Sequence, residues 1–554
     1  MIRLALLGSA AALALVAPAT AQDFTITNAT VATGDGSEPV ENATVVVRNG
    51  RIVAAGAGVT VPAGGEVIDG TGAAARRADL AVSDGRIVTI GDCAGREALR
   101  VIDASGQVVA PGFIDIHTHS DFTLPLNPQA ESKIRQGVTT EVVGNCGYST
   151  APVLPGQADK LKDFLAAGAP WLSFRETSFA EYMDTFPQTS VNTVMQVGHA
   201  TLRLMTMGME DRAPTAQELS KMESLLEEAL DAGALGMSCG LFTAPGNYAD
   251  FDELASLARI LKQRGATYAS HIRDEANHVL EAIDEAISVG ETTGVRVQIA
   301  HIKLSGLDNW GRTEELLGRI GAARGRGVDV HCDQYPYTAG TNPLRNLLPL
   351  WVQAGGIEAM LERLVDPQAI ERMRQDIQRD GLTNFGRVAS WDAVRIAISP
   401  NQPEIAGHTI EEVALERECD PLTAACEILA ADQGHTRIVV ASMSEDDVQE
   451  ILRSPMVMIG SDGNSLAIHG ITSQGMPHPR FYGTFARVLG HYVRDLGILS
   501  LPLAIHKMTG GSADALRMYD RGKLIEGNWA DITVFDPDQI GEMASYDDPH
   551  QYAK

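Results

Sequence analysis

Short apolar runs alternate with longer amphipathic stretches over the greater part of this chain, from about residue 108 to residue 515. The apolar runs are predicted to be strands, and they lie at residues 113–116, 140–143, 193–197, 236–239, 267–269, 295–300, 328–332 and 456–459. The stretches between them have the apolar spacing of helices, as at residues 217–232, 252–264, 278–290 and 313–326. This rhythm predicts an α/β fold with a parallel sheet, and a strand number near eight favours a TIM-like (β/α)8 barrel over residues 111–515.

Two β-rich passages that precede the barrel resemble each other. Each has β-branched runs around a tight turn, Asn49-Gly50 in the first and Asp84-Gly85 in the second, and each ends in Val-Ile-Asp. We interpret residues 22–72 as an extra copy of a β unit. The second copy, residues 73–110, is expected to pair with residues 516–554 in a small β-sandwich domain built from both chain ends.

The extra copy and the C-terminal end suggest a hypothesis about the small domain. Strands from the first copy would take the place of a further hairpin that similar proteins have at the C-terminus. The alternative is that residues 22–72 are an unpaired addition with no role in the fold. Neither interpretation affects the motifs of the predicted barrel.

Residues 1–21 have the pattern of a cleavable signal peptide. Arg3 precedes an apolar stretch at residues 4–16, and small residues lead to a cleavage site after Ala21. The apolar stretch is short for a membrane span. We therefore expect export, to the periplasm of a bacterial host, with no membrane attachment after cleavage.

Composition and charge limit the classes of partner. The 554 residues are 44% hydrophobic and 21% charged, as in ordinary globular proteins, and the length favours one large domain with a smaller one. The formal net charge of −27 argues against nucleic acid or an anionic membrane as a partner. Six cysteines are too few for a disulfide framework in an exported chain of this size.

Residues that can bind a metal follow the predicted strands. The first strand leads into His117 and His119, and residues two apart on a strand point to the same face. Later strands are followed by Cys146, His271, His301 and Asp462. In a barrel these strand ends meet at one face, where active sites lie.

Each of these residues has an ordinary structural explanation when it is taken alone. A single histidine is more often a hydrogen-bonded core residue, Cys146 an inert buried thiol, and Asp462 a turn or helix cap. All of these explanations would have to hold together at successive strand ends. The combination therefore favours a metal site.

The order of these residues resembles the amidohydrolase superfamily, and several local strings look like those of N-acyl-D-amino-acid deacylases, the D-aminoacylases. The strings are GVTTEVVGNCG at 137–147, SHIRDE at 270–275, AHIK at 300–303, YPY at 335–337, GSDG at 460–463 and HPRFYGTF at 478–485. They agree in order and spacing over roughly residues 70–550.

The resemblance implies zinc-dependent hydrolysis of an N-acyl-D-amino acid to a carboxylate and a free D-amino acid. The implied tight zinc ligands are Cys146, His271 and His301. A second, weaker position would be formed by His117, His119, Cys146 and Asp462. Cys146 would replace the carboxylated lysine that bridges two metals in many members of the superfamily, and thiolate is a ligand suited to zinc.

The resemblance also implies roles around the metal. Asp462 would act as general base and then general acid, while Lys303, Tyr335 and Arg480 would bind the substrate's α-carboxylate. A preference for D over L substrates comes from the resemblance alone. An apolar side chain such as methionine or leucine is the expected preference, an acidic one remains open, and the oligomeric state is undecided.

Two other functions compete with this one. A related amidohydrolase could act on dipeptides with a C-terminal D-residue or on cyclic amides, but Lys303 and Arg480 favour a substrate with a free carboxylate. A non-catalytic relative of the same fold would be expected to have lost some ligands, and this chain has all six.

Overall fold

The computed structural model describes residues 24–31, 40–48, 51–56, 65–93, 96 and 98–554. The predicted signal peptide, residues 1–21, lies outside this part of the chain. Within it, no helix combines the length and the apolar character that crossing a membrane requires. The six cysteines, all of which are described, are free thiols.

The strands β1 to β20 are, in chain order, Phe24–Val31, Val40–Arg48, Arg51–Gly56, Gly65–Val67, Arg76–Ser83, Arg86–Gly91, Val108–Pro111, Phe113–Asp115, Val138–Val143, Asn192–Met195, Val197–Gly198, Gly236–Gly240, Thr267–His271, Arg296–Ile299, Val330–Gln334, Ala339–Pro343, Val394–Ile398, Arg437–Ala441, Val457–Ile459 and Ile532–Phe535.

The α-helices α1 to α16 are Glu131–Ile134, Ala158–Leu165, Phe179–Thr185, His199–Met207, Ala216–Asp231, Phe251–Arg264, Val279–Thr293, Thr313–Gly325, Ile357–Leu364, Pro367–Asp380, Ile410–Glu416, Pro421–Ala431, Glu445–Arg453, Arg480–Arg487, Leu501–Met508 and Gly510–Leu516. Short 3-10 helices lie at Ser120–Phe122, Gly246–Tyr248, Leu307–Asn309, Leu344–Leu347, Leu350–Gln353, Trp391–Ala393, Pro403–Ile405 and Ile471–Ser473, and a π-helix at Val488–Asp495 continues α14.

All eight predicted barrel strands are present within a few residues of their predicted bounds. They form two parallel sheets, one in the order β10-β9-β8 and the other in the order β11-β12-β13-β14-β15-β19. Gln196 alone separates β10 from β11. At the other side, the backbone N–H of Asp462 donates to the carbonyl of His117 over 2.8 Å, and that of His119 to Gly463 over 3.1 Å. The predicted α/β class is confirmed.

The helices between the parallel strands also follow the sequence pattern. Thr215 begins α5 with a capping box, in which its hydroxyl accepts from the backbone N–H of Glu218 and the Glu218 side chain accepts in return. Gly265 ends α6 in the left-handed conformation, at φ 67°. Their apolar faces, with Leu226 and Leu257 fully buried, pack on the strands in the largest core of the described residues.

A small sheet joins the two ends of the chain. Its order is β20-β7-β4-β5-β6, and β20 pairs antiparallel with β7. The predicted turn between β5 and β6 is present, with both Asp84 and Gly85 at positive φ (50° and 72°), as a two-residue hairpin turn of this type requires. One boundary differs from the prediction. Gly65–Val67, assigned above to the extra copy, pairs with β5 and β7, because its alternation fits this sheet.

The rest of the extra copy forms a separate sheet. β1, β2 and β3 pair antiparallel in that order, and the pairings described for them are with one another. The hypothesis that these strands replace a C-terminal hairpin stays a prediction.

One part of the fold did not emerge from the sequence pattern. Residues 339–441, between β15 and β19, form an antiparallel sheet in the order β16-β18-β17, covered by α9 to α12. Leu347, Met373, Ile396 and Ile428 are fully buried in a core of its own. We refer to residues 339–441 as the inserted unit.

Candidate metal centre and active-site cleft

The histidines after β8 meet Asp462, which follows β19. The Nε2 of His119 lies 3.1 Å from Asp462 Oδ1, and the Nε2 of His117 lies 3.6 Å from the same oxygen. Cys146 Sγ lies 3.3 Å from His117 Nε2. These four residues are buried, and one ligand atom from each falls within 4.8 Å of the others.

A second group shares Cys146 with the first. It consists of Cys146, His271 and His301, whose ligand atoms also lie within 4.8 Å of one another. The Sγ of Cys146 is 3.4 Å from His301 Nε2, and the His271 ring stacks on Phe242 with 3.8 Å between ring centroids. The structure therefore brings together all six residues that the sequence predicted as metal ligands, in the two groups that the resemblance implied.

The backbone at three of these residues lies in the left-handed region. Cys146, His301 and Asp462 have φ values of 54°, 32° and 49°. For residues with a Cβ this conformation costs on the order of 1–3 kcal/mol each and persists where the surroundings enforce it. Here each one turns the chain sharply at a strand end, so that the side chain points at the shared cluster.

Asp333 supports the cluster and was not among the predicted site residues. Its Oδ2 lies 3.4 Å from His117 Nδ1 and accepts from the backbone N–H of His301 over 3.1 Å. Gln298 Nε2 donates to the other oxygen over 2.8 Å. Asp333 is fully buried on β15, and its position near the end of an apolar strand was the available signal.

Lys303 lies on the other side of the His301 ring from Cys146. Its Nζ is 2.8 Å from His301 Nδ1, and it forms an ion pair with Glu275. Asn384 of the inserted unit bonds to the same carboxylate, with its Nδ2 3.3 Å from Glu275 Oε2, and lies 3.4 Å from His271 Nε2. The structure thus places Lys303 against a metal ligand, rather than among the residues that line the cleft.

Arg480 is placed beside the predicted catalytic carboxylate. Its Nη2 lies 2.9 Å from Asp462 Oδ2, and its guanidinium stands 4.6 Å above the ring of Tyr335. The side chain is 1% exposed, yet its Nε and Nη1 have no hydrogen-bond partner. Two donors beside the cluster are therefore available to an anion.

A buried ion pair holds the loops below the cluster. Lys133 Nζ donates to Asp115 over 2.7 Å and to the hydroxyl of Ser461 over 2.6 Å. The second oxygen of Asp115 accepts from the backbone N–H of Ser461 over 2.8 Å. Because Asp115 precedes the His-x-His pair and Ser461 precedes Asp462, this network fixes the two ligand-bearing loops relative to each other.

Burial sets the protonation of three histidines of the cluster. It lowers the pKa of His119 to about 4 and lowers those of His271 and His301 well below the usual value, so these imidazoles are neutral, as metal ligands must be. Burial alone would raise the pKa of Asp462, but Arg480 and the neighbouring histidines together outweigh burial and hold that pKa well below its usual range. Asp462 is therefore ionised. Burial raises the pKa of the Cys146 thiol, although His117 opposes this.

A cleft opens over the cluster and reaches into the inserted unit. Its floor includes His119, Cys146, His271, His301, Asp462 and Arg480. One wall is largely aromatic, with Phe122, Tyr148, Phe164 and Phe242. Another part of the lining comes from the inserted unit and is polar, with Thr341, Asn342, Arg345 and Arg437.

This arrangement defines a class of protein. Two overlapping groups of histidine, cysteine and carboxylate ligands lie at the carboxyl ends of parallel strands, with an ionised aspartate and a free guanidinium edge facing a cleft. Such a set suits metal-assisted hydrolysis of a small molecule that carries a carboxylate.

Comparison with known proteins identifies the family. The model of the amidohydrolase family matches residues 100–318 and 401–551. A D-aminoacylase of Alcaligenes xylosoxydans xylosoxydans is 38% identical over 494 residues, which cover 89% of this chain and 90% of that protein. An N-acyl-D-aspartate deacylase of the same organism is 38% identical over 496 residues, covering 89% and 88%.

A solved structure agrees with these relatives. It is that of N-acyl-D-glutamate deacylase from Bordetella bronchiseptica, complexed with zinc and a phosphonate inhibitor that mimics the tetrahedral intermediate. It is 37% identical, covers 89% of this chain and 92% of that one, and superposes with a TM-score of 0.74. The chain therefore belongs to the amidohydrolase family, and the predicted resemblance to the N-acyl-D-amino-acid deacylases is confirmed.

Proposed function

We propose that this protein hydrolyses the amide bond of N-acyl-D-amino acids in a zinc-dependent reaction, giving a carboxylate and a free D-amino acid. The observation that carries the proposal is the pair of ligand groups joined through Cys146, with ionised Asp462 and the free donors of Arg480 at one cleft. The similarity to a D-aminoacylase supports it, as do the substrates named for the other two relatives, N-acyl-D-aspartate and N-acyl-D-glutamate.

The residues present fit zinc. Imidazole and thiolate are ligands that zinc prefers, and carboxylate completes the set. The buried Nδ1 atoms of His119 and His271 have no hydrogen-bond partner, which leaves a ring nitrogen available on each. We assign the tight site to Cys146, His271 and His301, and a weaker one to the group that contains Asp462. When bound, zinc would supply a Lewis acid and an acidified water.

Asp462 is the residue that moves the proton. Its carboxylate is ionised and lies between the histidines and Arg480, so it can take the proton of the attacking water. The same group can then deliver that proton to the departing amine nitrogen. Arg480 keeps it ionised until the proton arrives.

Substrate positioning falls to Arg480, with Tyr335 beneath its guanidinium. The two unpartnered nitrogens of Arg480 would bind the α-carboxylate, and the Tyr335 ring fixes the plane of the guanidinium. We assign Lys303 a positioning role, since its contacts with His301 and Glu275 orient a metal ligand.

Three further expectations remain proposals. We infer that the two parallel sheets are parts of one (β/α)8 barrel, which the single residue between β10 and β11 and the bonds between the His117 and Asp462 loops support. The β-sandwich of the small domain, and export to the periplasm after cleavage at Ala21, stay predictions.

The test is release of free amino acid by the purified mature protein, with zinc added, from the N-acetyl derivatives of D-methionine, D-glutamate and their L enantiomers. Release from D substrates alone would support both the reaction and its chirality. Release from L substrates would contradict the proposed chirality. Absence of release by protein that holds one equivalent of zinc would favour the dipeptide or cyclic-amide alternative.

A further inference from the structure

Arg437 is a cation in the cleft without an anionic partner. It begins β18 of the inserted unit and lines the cleft together with Asp462 and Arg480. Among the described residues it forms no ion pair, and its single hydrogen bond runs from Nε to Thr341 Oγ1 over 3.3 Å. Its two terminal nitrogens therefore have no acceptor in the described protein.

The surroundings hold the guanidinium in place. The Thr341 hydroxyl donates to the carbonyl of Ile438 over 2.7 Å, so its oxygen can accept the hydrogen bond from Arg437. Asp462 is the acid whose charge acts on Arg437, but its carboxylate is already paired with Arg480. The positive charge is thus oriented but not neutralised.

Arg437 also marks where the cleft ends. A second, mainly apolar cavity adjoins the cleft and shares Gly168, Thr341 and Arg437 with it. The adjoining cavity is lined by side chains such as Trp171, Leu466 and Phe481. The half-buried guanidinium therefore lies at the boundary between the cleft over the candidate metal ligands and an apolar space.

Burial and the charge of Arg480 lower the pKa of Arg437 to about 10, which still leaves it positive at neutral pH. Burying a charge without a counter-ion destabilises the folded state. An unpaired charge of this kind is typical of a binding site, where a bound ligand supplies the counter-ion.

We propose that Arg437, oriented by Thr341, is the binding site for a second carboxylate of the substrate, in addition to the α-carboxylate at Arg480. This inference rests on the proposed function and refines it, because it makes an acidic N-acyl-D-amino acid the preferred substrate class. The second carboxylate belongs to the amino-acid side chain, as in glutamate or aspartate, or to a dicarboxylic acyl group. A carboxylate on the side chain would replace the apolar preference expected from the sequence, whereas one on the acyl group would be compatible with it.

The experiment compares kcat/KM for four substrates with the zinc-loaded enzyme. N-acetyl-D-glutamate carries the second carboxylate on the side chain, N-succinyl-D-methionine carries it on the acyl group, and N-acetyl-D-glutamine and N-acetyl-D-methionine lack it. We expect the preferred substrate to be one of the first two, and Arg437→Met to reduce its kcat/KM by roughly 10²-fold, mainly through KM. The neutral substrates should change little, and Arg437→Lys should restore part of the loss.

Arg395→Met is the matched control, because Arg395 lies on the neighbouring strand β17 of the same sheet and pairs instead with Asp547. It should leave the discrimination between glutamate and glutamine unchanged. A wild-type enzyme that prefers the neutral substrates, or an Arg437→Met variant that loses all four substrates equally, would overturn the inference.

Binding separates this inference from the proposed function. Calorimetry with the zinc-loaded Asp462→Asn variant measures the affinity for the same four compounds without turnover. If no substrate is cleaved but a dicarboxylate binds more tightly and loses that advantage with Arg437→Met, the proposed reaction fails and the second carboxylate site stands. If the four compounds bind equally, the second site is wrong whatever the activity.

Discussion

The cluster of candidate metal ligands and the inserted unit both line one cleft, yet they are built in different ways. The residues of the cluster follow the ends of parallel strands. The Lys133–Asp115 ion pair and Asp333 hold them in place. The inserted unit is antiparallel, has its own core, and contributes Arg437 and Thr341 as well as the cluster contact Asn384.

The two regions also differ in how their polar groups are satisfied. Around the cluster, most charged side chains have a described partner, and the buried atoms without one include ring nitrogens, Oδ1 of Asp121 and two donors of Arg480. On the inserted unit, Arg437 has no acidic partner among the residues that the structure describes. The proposed hydrolysis therefore depends on the first region, and the proposed preference for a second carboxylate depends on the second.

The largest expected effect is the loss of the cysteine that both ligand groups share. Cys146→Ala should abolish tight zinc binding and reduce hydrolysis to the background rate, because each group loses a ligand. Metal content by atomic spectroscopy, alongside activity, measures this. Cys239→Ala is the control, since Cys239 is fully buried in β12 but belongs to neither group, and full zinc content is expected there. Normal zinc content in Cys146→Ala would mean that the ligand set is misassigned.

Asp462→Asn should follow in size. It keeps the shape of the side chain but removes the group that moves the proton, so kcat should fall by roughly 10²–10⁴-fold. The tight site of Cys146, His271 and His301 should still hold one zinc. A variant that keeps its activity would assign the proton transfer to another residue.

Asp333→Asn tests the support of the cluster. It should weaken zinc binding or activity by about 10–100-fold, because losing a carboxylate that orients a ligating histidine typically has an effect of this size. The measurement is zinc affinity by competition with a chelator. Asp329→Asn is the control, as Asp329 pairs with Arg296 outside the cluster, and its affinity should match the wild type. Equal affinities in the two variants would remove Asp333 from the metal site.

A pair of core substitutions tests whether the two regions are separable. Leu347→Ala in the inserted unit and Leu261→Ala in the parallel part both truncate fully buried leucines, each at an expected cost of about 2–5 kcal/mol of unfolding free energy. Leu347→Ala should raise KM and leave the zinc content intact. Loss of zinc in this variant would show that the cluster depends on the inserted unit.

The smallest expected effect concerns His478, which lies between the two regions. Burial, with the charge of Arg480, lowers its pKa well below the usual value, and both ring nitrogens are bonded, to the carbonyl of Ala339 over 2.9 Å and to the backbone N–H of Arg480 over 3.0 Å. Below about pH 6.5 the unfolded chain takes up a proton that the folded chain does not. The free energy of unfolding therefore decreases as the pH is lowered, by at most about 1.4 kcal/mol per pH unit.

Urea unfolding at several pH values between 7.5 and 5 measures this slope. His478→Gln should have a shallower slope than the wild type by up to one proton. His469→Gln, at a side chain that is 73% exposed, should leave the slope as it is. Identical slopes for His478→Gln and the wild type would exclude this contribution.

The parallel part could be predicted because its signals are local. Each strand is a short apolar run followed at once by a residue with metal-binding chemistry, as at His301 and Asp462. The inserted unit offered no such signal. Its strands β16 and β18 lie almost a hundred residues apart and pair only across four helices, so no short stretch of sequence indicates their partnership.

Lys303 and Arg437 show that local sequence also fails to predict which charged side chains are paired. The resemblance implied that Lys303 binds the substrate's α-carboxylate, and its ion pair with Glu275, 28 residues away, could not be read from the residues around it. Arg437 is the first residue of an ordinary apolar strand and has no local signal of a ligand-binding role. Whether a cation is neutralised depends on distant acids, and these cannot be identified from the residues around it.

The hydrogen bonds between the His117 and Asp462 loops have a consequence for the order in which this protein matures. His117 and Asp462 are separated by most of the parallel part, and Asp462 is held by the carbonyl of His117 and by the Ser461 contacts of Lys133. A chain that is synthesised only as far as the inserted unit has five of the six ligands but lacks the bonds that align the first pair. Occupancy of both proposed metal sites would therefore require that the first and last strands of the parallel part have already paired.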